Sequence, residues 1–319
     1  MLEWMSGISA FVISFVSIPY IRILAFRWGF LDQPNQRKVH AQPLPLLGGS
    51  AMFVAILLTL GVDSFFRPAP FALWGLFVGS LVLFAIGLVD DYAKSRGRDF
   101  SALPRLLAQI FAAVLVASFG GLIRGFSVPF GGEHYIVFPH WLAIAMTIVW
   151  VVGVINVFNF LDGLDGLAAG IAAISATTLV FIALVKGDLD SALWAAAVAG
   201  AALGFLRHNF YPARIIMGDA GSTLLGYWLA AISVIGAFKS ATVISVFVPV
   251  LALGVPIFDG ILVVVKRALA GKPVYKPDKT HSHHRLLNAG MSQVHVVTFM
   301  YLVSVCFSLM SMIVVLWQK

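Results

Sequence analysis

The sequence predicts an all-α, polytopic membrane protein of about ten spans. Three observations predict it: 60% of the 319 residues are hydrophobic, only 11% are charged, and the mean hydropathy is +0.96. Soluble domains do not reach such values, so lipid must serve as part of this chain's solvent. Apolar stretches of about 17–25 residues are long enough to cross the hydrocarbon core.

Taken in order, the first span covers residues 5–24. Glu3 precedes it, no Lys or Arg occurs before Arg22, and no small-residue cleavage site follows, which predicts a retained anchor and not a cleaved signal peptide. Spans two to four are expected at 46–62, 71–89 and 105–122. The connection 123–140 holds Pro129, Gly131, Gly132 and Pro139, which predicts a turn-rich hairpin or surface loop. Spans five and six, 141–158 and 167–185, flank the polar run Asn156–Gly166. Span seven, 191–206, carries Gly200 and Gly204 at the spacing of close helix packing. Spans eight, nine and ten are expected at 222–237, 242–265 and 295–316. The single cysteine, Cys306, lies in the last span and has no partner for an internal disulfide, so a packing role is expected. No soluble domain, low-complexity tract or internal repeat interrupts the pattern, and residues 1–319 read as one transmembrane domain.

Orientation follows from basic residues, which favour cytoplasmic loops. Sixteen of the 21 Lys and Arg fall in loops after odd-numbered spans, and five fall on the other face. That asymmetry predicts that the first set of loops is cytoplasmic and that both termini lie outside. The net charge of +7 has two readings: topology-setting residues touching anionic membrane lipids, or partial attraction of an anionic substrate. No nucleic-acid partner is expected.

Five polar segments interrupt the apolar chain, and counting crossings puts all five on that same cytoplasmic face. They are Asp32–His40, Asp90–Lys94, Asn156–Gly166, Arg207–Ser222 and Asp278–Arg285. Loops placed without selection would scatter over both faces, so convergence implies one site rich in carboxylates, amides and histidines.

Asp90 and Asp91 end the third span directly after LVLFAIGLV. A carboxylate in hydrocarbon costs about 2.5–3.5 kcal/mol on insertion scales, and such acids tend to mark function. Adjacent helical residues point about 100° apart, so the two need not do the same job. Lys94 is either an i,i+4 partner of Asp90 or a phosphate contact. Asn156, Asn159, Asp162 and Asp165 recur every three residues, and Gly163 and Gly166 are expected to break the helix among them. This leaves Asn159 and Asp162 at a helix end and Asp165 on the next turn or at the start of span six. Their hard oxygens suit Mg²⁺. In Met217–Ser222 the two glycines permit close approach of a ligand, Ser222 is placed to cap the eighth span, and Asp219 is either a metal ligand or a cap. His281, His283, His284 and Arg285 fall in a flexible basic loop, where phosphate recognition is preferred and zinc is the alternative. Asp259, after Pro256 in span nine, is either structural or a member of the site.

A metal, several acids and a basic loop are what joining two phosphate-bearing molecules requires. Two unit charges about 4 Å apart repel by about 4 kcal/mol at an effective dielectric of 20. A divalent ion and cationic side chains remove that barrier and stabilise charge on the leaving group.

The ordered runs RKVH, DDYAK, NVFNFLDGLDGLA, NFYPARIIMGDAGS and HSHHR resemble the polyprenyl-phosphate N-acetylhexosamine-1-phosphate transferases over residues 30–290. The resemblance implies a Mg²⁺-dependent integral membrane enzyme, with Mn²⁺ as the substituting ion. It would transfer a sugar 1-phosphate from a UDP-sugar to undecaprenyl phosphate on the cytoplasmic face of the bacterial inner membrane, releasing UMP. By position, Asn159 and Asp219 look like metal ligands, and Asp162 and Asp165 lie near the uridine end. Asp90 looks like the residue that deprotonates or positions the lipid phosphate, Asp91 supports it, and Lys94 resembles the lysine that meets that phosphate. Asn209 looks like a nucleotide-pocket residue. His283, His284 and Arg285 look like a diphosphate and sugar clamp, and Lys38 and His281 in the matching runs join the substrate-binding set. The RKVH and HSHHR runs resemble the GlcNAc-1-phosphate branch, which primes teichoic acids, O-antigen or related glycans. The muramyl-pentapeptide branch reads HHH-F-E where this chain has His-His-Arg. A homodimer is compatible with the resemblance. The rivals are a two-step route through an aspartyl-phosphate on Asp90 or Asp91, and an ion-coupled transporter.

Overall fold

The computed structural model describes residues 2–33, 43–127, 135–236, 244–269 and 282–317. Helices dominate: α1 (Leu2–Trp28), α2 (Gly48–Phe66), α3 (Phe71–Ser95), α4 (Ala102–Ser118), α5 (His140–Leu161), α6 (Leu167–Val185), α7 (Leu189–Asn209), α8 (Gly218–Gly236), α9 (Ile244–Ala252), α10 (Gly254–Leu269), α11 (Ser282–Asn288) and α12 (Gln293–Trp317). Two short antiparallel pairs qualify the all-α expectation: β1 (Leu31–Asp32) with β2 (Leu44–Pro45), and β3 (Gly125–Ser127) with β4 (Tyr135–Val137). The second pair is the hairpin that the proline- and glycine-rich connection implies.

Seven of the helices, α1, α2, α3, α5, α6, α7 and α12, are long and apolar enough to cross a membrane. The chain is a multi-pass membrane protein. Burial divides the helices into two layers. In α6, α7 and α8 nearly every residue is covered, whereas α1 and α12 turn long rows of Ile, Leu, Phe and Met outward, as helices facing lipid must. Cys306 belongs to the outward face of α12 and so does not fill the packing role expected of it. The predicted ninth span is broken: α9 ends at Ala252 and α10 begins at Gly254.

Small residues bring the central helices together. The ideal Cβ positions of Gly200 and Gly204 fall on the α1 backbone at Gly7 O and Phe11 O, so α7 packs against α1 through the predicted glycine pair. At Gly87 of α3 an added Cβ would lie 2.5 Å from Ala220 Cα and 2.7 Å from Ala220 N of α8. The two backbones touch there, one turn from Asp90, Asp91 and Asp219, and this contact carries the site. Gly87→Ala is expected to lower the thermal unfolding midpoint of the detergent-purified protein by the equivalent of roughly 1–3 kcal/mol of overpacking. Gly153→Ala is its control: it sits on an outward position of α5 with nothing within 4 Å of the new Cβ, and is expected to leave the midpoint unchanged or raise it slightly.

Candidate active site

The carboxyl ends of α3, α5 and α7 and the amino ends of α4 and α8 meet at one end of the bundle. Asp90 and Asp91 both lie within α3, buried at 1% and 0% exposure. The 100° step between them separates their partners. Asp91 turns to α8, where its Oδ1 accepts from the Asp219 N–H at 2.8 Å and its Oδ2 from the Ala220 N–H at 3.1 Å. A helix begins with N–H groups that have no intrahelical partner, and here a carboxylate from another helix satisfies two of them. Gly218 makes room: its φ is +71°, and a Cβ there would press into the Asp91 carboxylate. Ser222, expected as the cap of this helix, lies inside its first turns and donates to the Gly218 carbonyl at 3.1 Å.

Asp90 turns to two cations. Its Oδ2 accepts from Arg105 NH1 at 2.9 Å and lies 3.6 Å from Lys94 Nζ, the i,i+4 contact foreseen in the sequence. Lys94 is closer to Asp219, at 2.7 Å from Oδ2, and Arg105 reaches the same oxygen at 3.5 Å. Two cations thus sit between two carboxylates from different helices, and the side chains of Lys94 and Arg105 remain 40% and 34% exposed, open to an incoming anion.

Asn159 on α5 faces the same acid. Its Nδ2 donates to Ser222 Oγ at 3.0 Å, and its side chain bonds the Asp219 carboxyl. One turn earlier Asn156 donates to Gln109 Oε1 of α4 at 2.7 Å, a partly buried amide contact that ties the helix carrying Arg105 to the helix carrying Asn159. Asp162 ends α5 as its C-cap residue. Burial pushes its carboxyl well above the usual range, and the charges of Asp219 and Asp91 add to the effect. Asp165 stands in the turn before α6 and accepts from the Ala213 N–H at 3.0 Å.

Asn209 is 4% exposed. Its Oδ1 accepts from the Gly166 N–H at 2.9 Å, and its Nδ2 donates to the Ile215 carbonyl at 2.8 Å. Both ends of the amide therefore tie together the loops that carry Asp165 and Asp219. Tyr301 of α12 donates to the Gly166 carbonyl. His283 is fully buried beside Gly163, whose Cβ would sit 3.0 Å from its Nε2, and its ring lies 4.4 Å from that of His284. The basic tract is thus a short helix, α11, where a flexible loop was expected. Asp259 of α10 accepts from the Ser282 N–H at 2.7 Å, which makes it a tie for that helix. Arg285 is exposed in α11. Lys38 and His281 lie outside the described residues. The start of α2 is anchored beside the site, since the Gly48 and Gly49 N–H groups donate to the Ile216 and Met217 carbonyls, each at 2.9 Å.

Residues 73–237 match the model of glycosyl transferase family 4. A probable undecaprenyl-phosphate N-acetylglucosaminyl 1-phosphate transferase of Bacillus subtilis is 35% identical, over 95% of this chain and 84% of its own length. A decaprenyl-phosphate N-acetylglucosaminephosphotransferase of Mycolicibacterium smegmatis is 37% identical, over 93% and 78%. An undecaprenyl-phosphate alpha-N-acetylglucosaminyl 1-phosphate transferase of Escherichia coli O157:H7 is 28% identical, over 89% and 76%. The chain belongs to glycosyl transferase family 4. It is a phosphoglycosyltransferase.

In this family 4 enzyme the acids suit a hard ion that keeps part of its water. Asp90 Oδ1 is buried without a hydrogen-bond partner, and Asp219 and Asn159 bring further oxygens from two other helices. Among the described residues no three Asp, Glu, His or Cys side chains close on one point, so a fully protein-caged ion does not fit. Mg²⁺, which takes one or two carboxylates and completes its shell with water and substrate phosphates, does fit.

Sequence reading missed Arg105. It counted only toward topology, yet it is the second cation between Asp90 and Asp219. Its signal was its place, three residues into a helix that starts just after the DDYAK run.

Asp91→Ala strands two buried N–H groups and is expected to cost roughly 1–3 kcal/mol of stability. Amide hydrogen exchange should rise at residues 218–221, whereas Asp91→Asn, which keeps one acceptor oxygen, should fall between the two.

Proposed function

We propose that the enzyme transfers N-acetylglucosamine 1-phosphate from UDP-GlcNAc to undecaprenyl phosphate, with Mg²⁺, on the cytoplasmic face of the bacterial inner membrane. The single observation that carries this reading is the placement of Lys94 and Arg105, both partly exposed, between Asp90 and Asp219. The names of the relatives support the donor sugar and the polyprenyl acceptor. The basic asymmetry of the loops supports a cytoplasmic site with both termini outside. Ten crossings follow when α4, α8 and the broken α9–α10 pair are added to the seven long helices.

An oxygen of the lipid phosphate attacks the phosphorus that bears the sugar. The new P–O bond forms as the bond from that phosphorus to the bridging oxygen breaks, and UMP leaves with the electron pair. A lipid phosphate is already an oxyanion near neutral pH, so Asp90 need only orient it or take a residual proton. Lys94 and Arg105 exchange their carboxylate partners for phosphate oxygens, which lowers the repulsion between the two substrates. Asp219 and Asn159, with Asp90 Oδ1 beside them, would hold Mg²⁺, which supplies charge neutralisation at the diphosphate. Asp162 and Asp165 stand toward the nucleotide, and His283, His284 and Arg285 toward the diphosphate and sugar. Asp91 supports the arrangement through α8.

Protein in detergent with Mg²⁺, undecaprenyl phosphate and a panel of UDP-sugars is expected to yield lipid-linked sugar and UMP, fastest with UDP-GlcNAc. EDTA should abolish turnover and added Mg²⁺ restore it. No product from any UDP-sugar would sink the assignment.

Arg105→Met and Lys94→Met are each expected to lower kcat by roughly 10²–10³, the effect of removing one charge-stabilising donor. Arg105→Lys should retain much more activity. The buried, unpartnered Asp90 Oδ1 also favours a second reading, in which it is the nucleophile of a two-step route. Incubation with donor alone followed by intact-mass measurement separates the two, because a phospho-sugar adduct forms only in the two-step route.

A further inference from the structure

At the same end of the bundle, but on the far side of α7, a second group of basic residues makes no ion pair among the described residues. Arg207 and His208 end α7, Arg214 follows in the next loop, and Arg22 stands on α1, which packs along α7 in the same direction. His208 lies within electrostatic reach of all three arginines. Its ring packs against that of Phe15 at 5.0 Å, tilted by 37°, and bonds the Phe15 backbone, and its own carbonyl accepts from the Arg214 N–H at 3.0 Å. The four residues are therefore one cluster. None of the ion pairs among the described residues goes to Arg22, Arg207 or Arg214.

Ordinary topology-setting arginines extend into water, where every N–H is solvated. Here the Arg22 Nε–H is buried and without a hydrogen-bond partner, while the Arg207 and Arg214 side chains are exposed. A covered donor facing like charges is held at a cost unless an anion completes it. The surroundings say what kind of anion. Phe15, Ile23, Leu203 and Phe210 are 37%, 65%, 45% and 49% exposed, so the cations cap an outward apolar surface of α1 and α7.

We propose that Arg22, Arg207 and Arg214, gathered around His208, form a binding site for the phosphodiester headgroup of an anionic membrane phospholipid, whose acyl chains lie along the outward faces of α1 and α7. The site uses none of the residues of the reaction centre. Through Arg214 it reaches the loop that leads to Asp219, so an occupied site braces that segment.

Delipidated protein in detergent, titrated with phosphatidylglycerol and with phosphatidylcholine, tests this by native mass spectrometry. The unaltered chain should favour phosphatidylglycerol by roughly tenfold. Arg22→Gln/Arg207→Gln should bring the two lipids to parity, whereas Arg96→Gln/Arg98→Gln, with the same loss of charge elsewhere on that face, should keep the preference. Equal melting of both variants without lipid shows that the fold is intact. Persistence of the preference in Arg22→Gln/Arg207→Gln, or its equal loss in both variants, overturns the proposal. So does displacement of the lipid by millimolar inorganic phosphate, which would make this a site for soluble anions.

Discussion

The structure depends on keeping carboxylates close together at the end of an apolar bundle. Asp90, Asp91 and Asp219 belong to two helices whose backbones touch at Gly87, and Asp162 adds a fourth acid from α5. Like charges in such surroundings repel by several kcal/mol, so each acid needs its own answer. Asp91 has two backbone N–H groups and the positive end of the α8 dipole. Asp90 and Asp219 have Lys94 and Arg105 between them. Asp162 is answered the other way, by burial that favours its neutral form. The small residues at Gly87 and Gly218 are the steric condition for all of this, since either Cβ would drive α3 and α8 apart.

The loops of the site are tied by side chains that originate in helices. Asn209 holds the turn before α6 to the segment before α8, Tyr301 reaches that same turn from α12, Asp165 binds the 213 amide, and Asp259 fastens the start of α11. The bonds of Asn209 are buried and the others partly so, and a satisfied hydrogen bond in such a place is retained strongly because losing it leaves an unpaired group. The polar groups of the candidate site are therefore mounted at or beside the ends of packed helices.

Much of this was legible in the sequence, for physical reasons. Membrane character follows from hydropathy, and the convergence of polar segments follows from counting crossings. The helix break between Asn159 and Asp165 follows from Gly163 and Gly166, and the divergence of Asp90 from Asp91 follows from helical geometry. What could not be read were partners supplied by other helices. Arg105 looked like any juxtamembrane arginine because nothing local shows that α4 turns back beside α3. Asn209 was matched to a nucleotide pocket by resemblance alone, and its bonds to the Gly166 N–H and the Ile215 carbonyl had no local signal. Asp91 as a cap for α8, and Asp259 for α11, depend on contacts more than 20 residues apart along the chain. The split of the ninth span was signalled only by Pro249 and Pro256, which a hydropathy count passes over.

That division between local and distant partners also separates what can change during a reaction from what cannot. A phosphate arriving at the site can compete for Lys94 and Arg105, because both cations are partly exposed and each is shared between two carboxylates. Nothing arriving from outside can replace the bonds from Asp91 to the first turn of α8 without unwinding that turn. The pair of aspartates is therefore a fixed anchor and an exchangeable ligand on one helix end. In the proposed reaction, chemistry at Asp90 and Asp219 would depend on the immobility of Asp91, whose bonds to the first turn hold α8 in place.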